Sequence, residues 1–220
     1  VTDRDGIKNP VLTARVGNNN DLFPDVLDLY VPDGSTILDV TYGKGIFWKD
    51  VNIDARSYKL FTNDCEYGLG EYSYDCRELP KPWEDAFDTV IFDPPYLYVG
   101  GWKTMRNFGA ANSKLYRNQE RAKKISGVKQ VDLLYYNSIK EAYRVLKHKG
   151  ILIIKCMDQV QSGKQVWAHM TYKEYAEILG FRSEDLFVLV RKSKPLMRHK
   201  KQIHARKNHS YFLVFKAWKK

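Results

Sequence analysis

Cysteine is scarce in this chain, with three among 220 residues. The number is odd, and Cys65, Cys76 and Cys156 lack metal-ligand spacing. A disulfide framework is therefore not expected, and a reducing, cytoplasmic setting is. No apolar run approaches membrane length, and no signal-peptide pattern opens the sequence, so no membrane partner is expected. Repeats and low-complexity stretches are absent. Acidic residues are missing from one region altogether: residues 191–220 hold eleven Lys/Arg and no Asp/Glu.

That last absence belongs to an uneven charge distribution. Residues 1–100 hold nine Lys/Arg against eighteen Asp/Glu, residues 101–129 eight against one, and residues 130–190 eight against seven. The net charge of +10 thus comes from two segments. Clustered basic residues are the electrostatic footprint of a polyanionic partner. Both clusters carry aromatic or amide groups, among them Trp102, Asn107, Phe108, Asn112, Tyr116, Gln202 and Asn208. A solubilising face is the plainer reading, but it does not explain why one cluster abuts the unusual turn at residues 93–96. His199, His204 and His209 recur every five residues amid lysines, a spacing that suits phosphate contact or solvent better than a metal.

With 44% hydrophobic residues, a 220-residue chain has ample core for one α/β domain. Asp21 is placed to cap a helix running to about Tyr30, ahead of Pro32-Asp33-Gly34. Val131, Leu134, Tyr135, Ile139, Ala142, Tyr143 and Leu146 recur at helical spacing, with Lys147 and His148 in the last turn before Lys149-Gly150. Ile151 to Lys155 is a continuous apolar strand of the kind covered on both faces. Lys155, at its end, either touches substrate or snorkels to solvent. Thr171 and Glu174 form a capping-box pattern for a helix ending at Leu179-Gly180. Strands at Leu186–Val190 and Ser210–Phe215 flank the basic stretch 191–209.

Two turns carry the chemistry. Thr36 to Val40 reads as a strand that runs into Thr41-Tyr42-Gly43-Lys44-Gly45. Gly43 and Gly45 allow positive φ and a close ligand approach, as in the first βα turn of a doubly wound sheet, where nucleotide-like cofactors sit. The dinucleotide fingerprint is not met, because its third glycine is missing. About fifty residues on, Phe87 to Phe92 reads as a buried strand ending in Asp93-Pro94-Pro95-Tyr96. The prolines fix φ and carry no N–H, which leaves the Pro94 carbonyl free to accept a hydrogen bond. Asp93 adds a second acceptor and Tyr96 a stacking face. Together they suit the exocyclic amino group of a flat base.

This tetrapeptide, in this order and separation from the glycine turn, resembles the signature of the S-adenosylmethionine-dependent amino-methyltransferases of nucleic acid. The resemblance runs from about Thr36 to Phe215. It implies a doubly wound, mostly parallel seven-stranded Rossmann-like sheet with a C-terminal antiparallel hairpin, and S-adenosylmethionine as cofactor. Asp39, Val40, Thr41, Gly43 and Gly45 would form the cofactor turn, although the family usually has an aromatic or small residue where Thr41 stands. Asp64, or alternatively Glu66 or Glu71, would bind the ribose, and Asp75 and Cys76 would meet the adenine ring. Asp93, Pro94, Pro95 and Tyr96 would be catalytic.

Many DNA members carry a separate target-recognition domain, for which this chain has no remaining segment. Residues 1–220 are thus expected to be a single domain, with a basic insertion at 97–129 and a basic hairpin loop at 191–209. Contact with nucleic acid falls to Lys103, Arg106, Lys114, Arg117, Arg191, Lys192, Lys200, Lys201, Arg206 and Lys207. DNA is preferred to RNA, and adenine N6 to cytosine N4, because Asp rather than Ser opens the tetrapeptide. An RNA base methyltransferase and a non-catalytic nucleic-acid-binding protein stay open. The cysteines argue against cytosine-C5 chemistry, since none follows a proline in the manner of its nucleophile.

Overall fold

The computed structural model describes residues 10–95, 128–161, 163–192 and 202–219. Its strands are β1 (Ala14–Val16), β2 (Thr36–Asp39), β3 (Lys59–Thr62), β4 (Phe87–Phe92), β5 (Leu146–Cys156), β6 (Gln159–Gln161), β7 (Lys164–Val166), β8 (Phe181–Val190) and β9 (His209–Ala217). Its helices are α1 (Asn19–Tyr30), α2 (Val128–Val145) and α3 (Ala168–Ile178).

The order β3-β2-β4-β5-β9-β8-β1 makes one seven-stranded sheet, and β6 and β7 form a separate two-stranded hairpin. Strand β9 runs against both neighbours, while all other pairings in the large sheet are parallel. This is the expected sheet with its terminal antiparallel hairpin. Strand β1 was not anticipated. Its three residues add to the far edge by pairing with Val188, Leu189 and Val190.

Alternation along the central strands builds two cores. Leu38, Val90, Phe92, Leu152, Ile154, Leu213 and Phe215 face α2 and α3. Ile37, Ile91, Ile151, Ile153, Phe212 and Val214 face α1, with Phe47 and Trp48. A strand buried on both faces needs apolar side chains at every position, which is why Ile151–Ile154 reads as an unbroken run. The two crossovers around β3 are thin: only the 3-10 turns Ile46–Trp48 and Lys81–Trp83 stand where wound sheets usually carry helices. The described residues contain no helix long and apolar enough to cross a membrane.

Three boundaries differ from the sequence reading. Helix α1 begins at Asn19, and Asp21 lies inside it, its carboxylate accepting the Asn18 N–H at 2.7 Å. Helix α2 stops at Val145, so Lys147, His148 and Lys149 belong to β5. The register shifts there, because Phe87 pairs with Leu146 and Thr89 already with Ile151. Lys147 binds Asp88 at 2.8 Å, and Lys149 takes φ 66°. Helix α3 starts at Ala168, three residues before the proposed cap; the Thr171 hydroxyl instead donates back to the Trp167 carbonyl at 3.2 Å. Buried Asp158 receives the free His169 N–H at the helix start, at 3.3 Å, so a carboxylate distant in sequence supplies the missing acceptor.

Candidate active site

The glycine turn leaves β2 and is stitched to its neighbours by side chains. Asp39 is 4% exposed. Its Oδ1 accepts the Thr41 N–H at 3.0 Å and its Oδ2 the Trp48 indole N–H at 2.8 Å. Asp39 thus braces the turn from beneath. Burial drives its carboxyl up from 3.8 to about 7, against the pull of these two hydrogen bonds. Gly43 and Gly45 both lie in the left-handed region, at φ 57° and 67°. At Gly45 a Cβ would come within 2.6 Å of the Tyr42 hydroxyl, so a side chain there would also have to displace the Tyr42 ring.

Asp64 follows β3 and reaches across to this turn. One oxygen accepts the Gly43 N–H at 3.0 Å and the other the Glu66 N–H at 2.8 Å. A carboxylate has about four acceptor sites, so capacity for ribose hydroxyls remains. Asn63 had no place in the sequence reading, yet it organises this region. It is fully buried, donates to the Val40 and Tyr74 carbonyls at 3.2 and 3.0 Å, and accepts the Tyr74 N–H at 2.8 Å. It thereby clips the segment that carries Asp75 and Cys76 onto the end of β2. Its only sequence signal was an amide at the end of a strand, one residue before the acid.

Asp75 is held within the chain: both oxygens are engaged by Arg77, which keeps its carboxyl below the usual range against its own burial. Cys76 points inward, with the Ser138 hydroxyl donating to its sulfur at 3.2 Å, and burial pushes the thiol up to about 12. Glu141 and Arg144 of α2 grip the Leu79 N–H and carbonyl. The wall expected to meet the adenine ring is therefore anchored to α2.

The acidic-proline turn leaves β4 beside β2. Thr41 joins the two turns, its hydroxyl accepting the Asp93 N–H at 2.7 Å. This departure from the family pattern has a structural use. Asp93 keeps 26% side-chain exposure, but its Oδ1 is sealed from solvent and has no hydrogen-bond partner among the described residues. Burial pushes the carboxyl up, while the charges of Lys155 and Arg191 pull it back. Pro94 is buried and Pro95 half-buried. Tyr96 lies outside the described residues.

Lys155 neither snorkels nor lies in the open. It is 2% exposed, its Nζ lies 4.0 Å from Asp93 Oδ2, and it donates to Asn19 Oδ1 at 2.6 Å. The ammonium sits over the rings of Phe47 and Phe212, at 5.3 and 5.6 Å.

Of the residues assigned to nucleic acid, Arg191, Lys192, Arg206 and Lys207 are described. The Arg191 N–H donates to the Asn208 carbonyl at 2.7 Å, which closes the base of the hairpin loop beside the carboxyl ends of β4 and β5. Arg206 is exposed, and the Lys207 ammonium lies 6.0 Å from the Trp167 ring. Lys103, Arg106, Lys114, Arg117, Lys200 and Lys201 lie outside the described residues.

Residues 87–220, from the strand that ends in Asp93 onward, match the model of the DNA methylase family that covers N6 and N4 enzymes. The chain belongs to the DNA methylase family. As a member it is an S-adenosylmethionine-dependent methyltransferase, and S-adenosylmethionine is its cofactor. The glycine turn fits that group, with its two left-handed glycines and the nearby Asp64. No curated protein matches the sequence.

Solved structures are similar at low identity. One is an S-adenosylmethionine-dependent methyltransferase from Methanosarcina mazei, 12% identical, with TM-score 0.50 over 88% of this chain and 97% of that one. A Pyrococcus horikoshii protein is 15% identical, with TM-score 0.54 over 90% and 89%. TrmN from Thermus thermophilus is 13% identical, with TM-score 0.53 over 89% of this chain and 48% of that one. At these identities the similarity is one of fold.

Proposed function

We propose that this chain methylates the exocyclic amino nitrogen of a base flipped out of DNA, with adenine N6 as the target. The observation that carries this reading is Asp93, a partly exposed carboxylate at a strand end tied directly to the cofactor turn, whose Oδ1 has no hydrogen-bond partner among the described residues. A buried carboxylate oxygen left empty is costly in an ordinary fold. An amino group would satisfy it.

Bound S-adenosylmethionine supplies a methyl group on a positively charged sulfur. Asp93 accepts one amino proton of the base, and the Pro94 carbonyl accepts the other. These bonds favour a localised nitrogen lone pair over one delocalised into the ring. Fixing the nitrogen between them supplies much of the rate through positioning. Flipping the base costs a few kcal/mol, and stacking on Tyr96 returns about 1–3 kcal/mol. The whole chain, residues 1–220, acts as one domain, with 97–129 and 191–209 holding the nucleic acid over the site. Cytosine N4 is the second reading, since the matching family model spans both amines; the Asp that opens the tetrapeptide favours adenine.

The test is nucleoside mass spectrometry of duplex DNA, single-stranded DNA and structured RNA after incubation with enzyme and S-adenosylmethionine. N6-methyladenine in DNA is the expected product. Asp93→Ala should fold, still bind S-adenosylmethionine and lose transfer. Wild-type turnover in that variant, or methylation confined to RNA, refutes the reading.

A further inference from the structure

Lys155 is a buried cation for which methyl transfer as described above has no use. Its surroundings are built around it. Asn19, the first residue of α1, turns its amide oxygen to the ammonium at 2.6 Å. Phe47 and Phe212, neighbouring rings of the same apolar core, both lie against it. A lysine in such a place costs a great deal to bury unless a counter-charge answers it. Among the described residues, the counter-charge within reach is Asp93.

The pair has an unusual geometry. At 4.0 Å the contact is an ion pair beyond hydrogen-bond distance, and it falls on Oδ2. Oδ1 is left empty. Lys155 therefore lends its charge to Asp93 while leaving the acceptor sites available to another group. A purely structural salt bridge gains most by closing to direct hydrogen bonds.

We propose that Lys155 is a positioning residue of the amine site: its buried ammonium keeps Asp93 ionised, so that the carboxylate accepts from the base's amino group and then takes the proton the amine must shed. The proposal rests on Asp93 being the amine acceptor. In the transfer, the exocyclic nitrogen forms a bond to the methyl carbon as the carbon–sulfur bond breaks, and that electron pair stays on sulfur. The nitrogen is then a cation with one proton too many. Asp93 takes that proton and passes it to water, which balances the reaction with one proton released per methyl group.

An acceptor already protonated could do neither job. Burial acts in the wrong direction on both partners, raising Asp93 and lowering Lys155, and on Asp93 the charges of Lys155 and Arg191 oppose it. Among the described residues, the groups that face Asp93 are Asp39 from β2, Lys155 and Cys156 from β5, and Arg191 beyond β8. Asp39 and Asp93 repel each other, which makes the cations more necessary. Of these cations, Lys155 is the buried one, and burial weakens solvent screening of its charge.

The experiment uses the full chain carrying 13C-labelled aspartate, with the Asp93 carboxyl signal assigned through Asp93→Asn. Wild type, Lys155→Met, Lys155→Gln and Lys155→Arg are titrated by NMR, and kcat for methyl transfer to DNA is measured against pH. Met keeps the length and apolar packing against the two rings, Gln tests a neutral polar group if Met fails to fold, and Arg keeps the charge. In the Met and Gln variants the Asp93 titration and the acidic limb of kcat should both move up by about one pH unit or more. The rate at pH 7 should fall about tenfold and recover in alkali. Arg should hold the limb in place. An unmoved Asp93 titration in the neutral variants overturns the inference. So does a rate lowered evenly across pH, which is the mark of a structural role alone. A moved titration in an enzyme that methylates no base refutes the base-amine reading and leaves the charge coupling standing.

Discussion

Replacing Thr41 with valine would remove one oxygen and little else, and that oxygen is the direct link between the cofactor turn and the acidic-proline turn. In the native chain it accepts the Asp93 N–H at 2.7 Å. Valine has nearly the same shape but cannot accept, so the N–H is left without its partner. An orphaned buried donor costs about 1–3 kcal/mol. Because Thr41 is only half-buried and water can partly compensate, the lower part of that range, about 1–2 kcal/mol, is the expectation.

The loss has two places to go. Urea denaturation reads the part that falls on the fold. Single-turnover transfer of a labelled methyl group reads the part that falls on Asp93 alignment, where about 1–2 kcal/mol becomes a rate reduction of roughly 5–30-fold. Both effects are expected in Thr41→Val, and neither in Thr41→Ser, which keeps the hydroxyl. A valine variant that is less stable yet turns over within about twofold of wild type would show that the link only holds the fold together. A serine variant as slow as valine would show that the hydroxyl link to Asp93 does not by itself set the rate.

Other outcomes follow from the same geometry. Asn63→Ala orphans the Val40 and Tyr74 carbonyls and the Tyr74 N–H together; a stability loss of roughly 3–5 kcal/mol is expected by urea denaturation, and a loss below about 1 kcal/mol would contradict the bracing role. Asp39 has a folded-state value raised from 3.8 to about 7, so the native state holds its proton more tightly than the unfolded chain. Its destabilising effect is absent below about pH 4, grows between pH 4 and 7, and is complete above 7, at a size on the order of 4 kcal/mol. Stability of the wild type should therefore fall across that window relative to Asp39→Asn, and parallel curves would refute the assignment. If Arg206 and Lys207 each neutralise a phosphate, replacing both with alanine should flatten the slope of log binding constant against log salt by about two; an unchanged slope would remove them from the interface.

The order of elements, the buried central strands and the two chemical turns were legible in the sequence because each rests on local chemistry. Glycine and proline set backbone angles wherever they stand, and a strand buried on both faces must be apolar throughout. Helix boundaries were less legible. Asp158 sits ten residues before Ala168 yet serves the start of α3, and a one-dimensional capping pattern centred on Thr171 could not anticipate it. The same reason hid β1, three residues whose only mark is the edge of β8 that they find in the folded chain.

What the sequence determined by itself was the kind of chemistry: a glycine turn, an acid followed by two prolines, and two basic segments, one of them free of acids. What only the tertiary structure decided was how those parts are coupled. Thr41 meets Asp93 across 52 positions of chain, Asn63 meets Tyr74 across 11, and Lys155 meets Asn19 across 136. Spacing in a sequence reports on local backbone. The charge state of a buried acid depends on whatever packing brings beside it, and that is a property of the folded sheet.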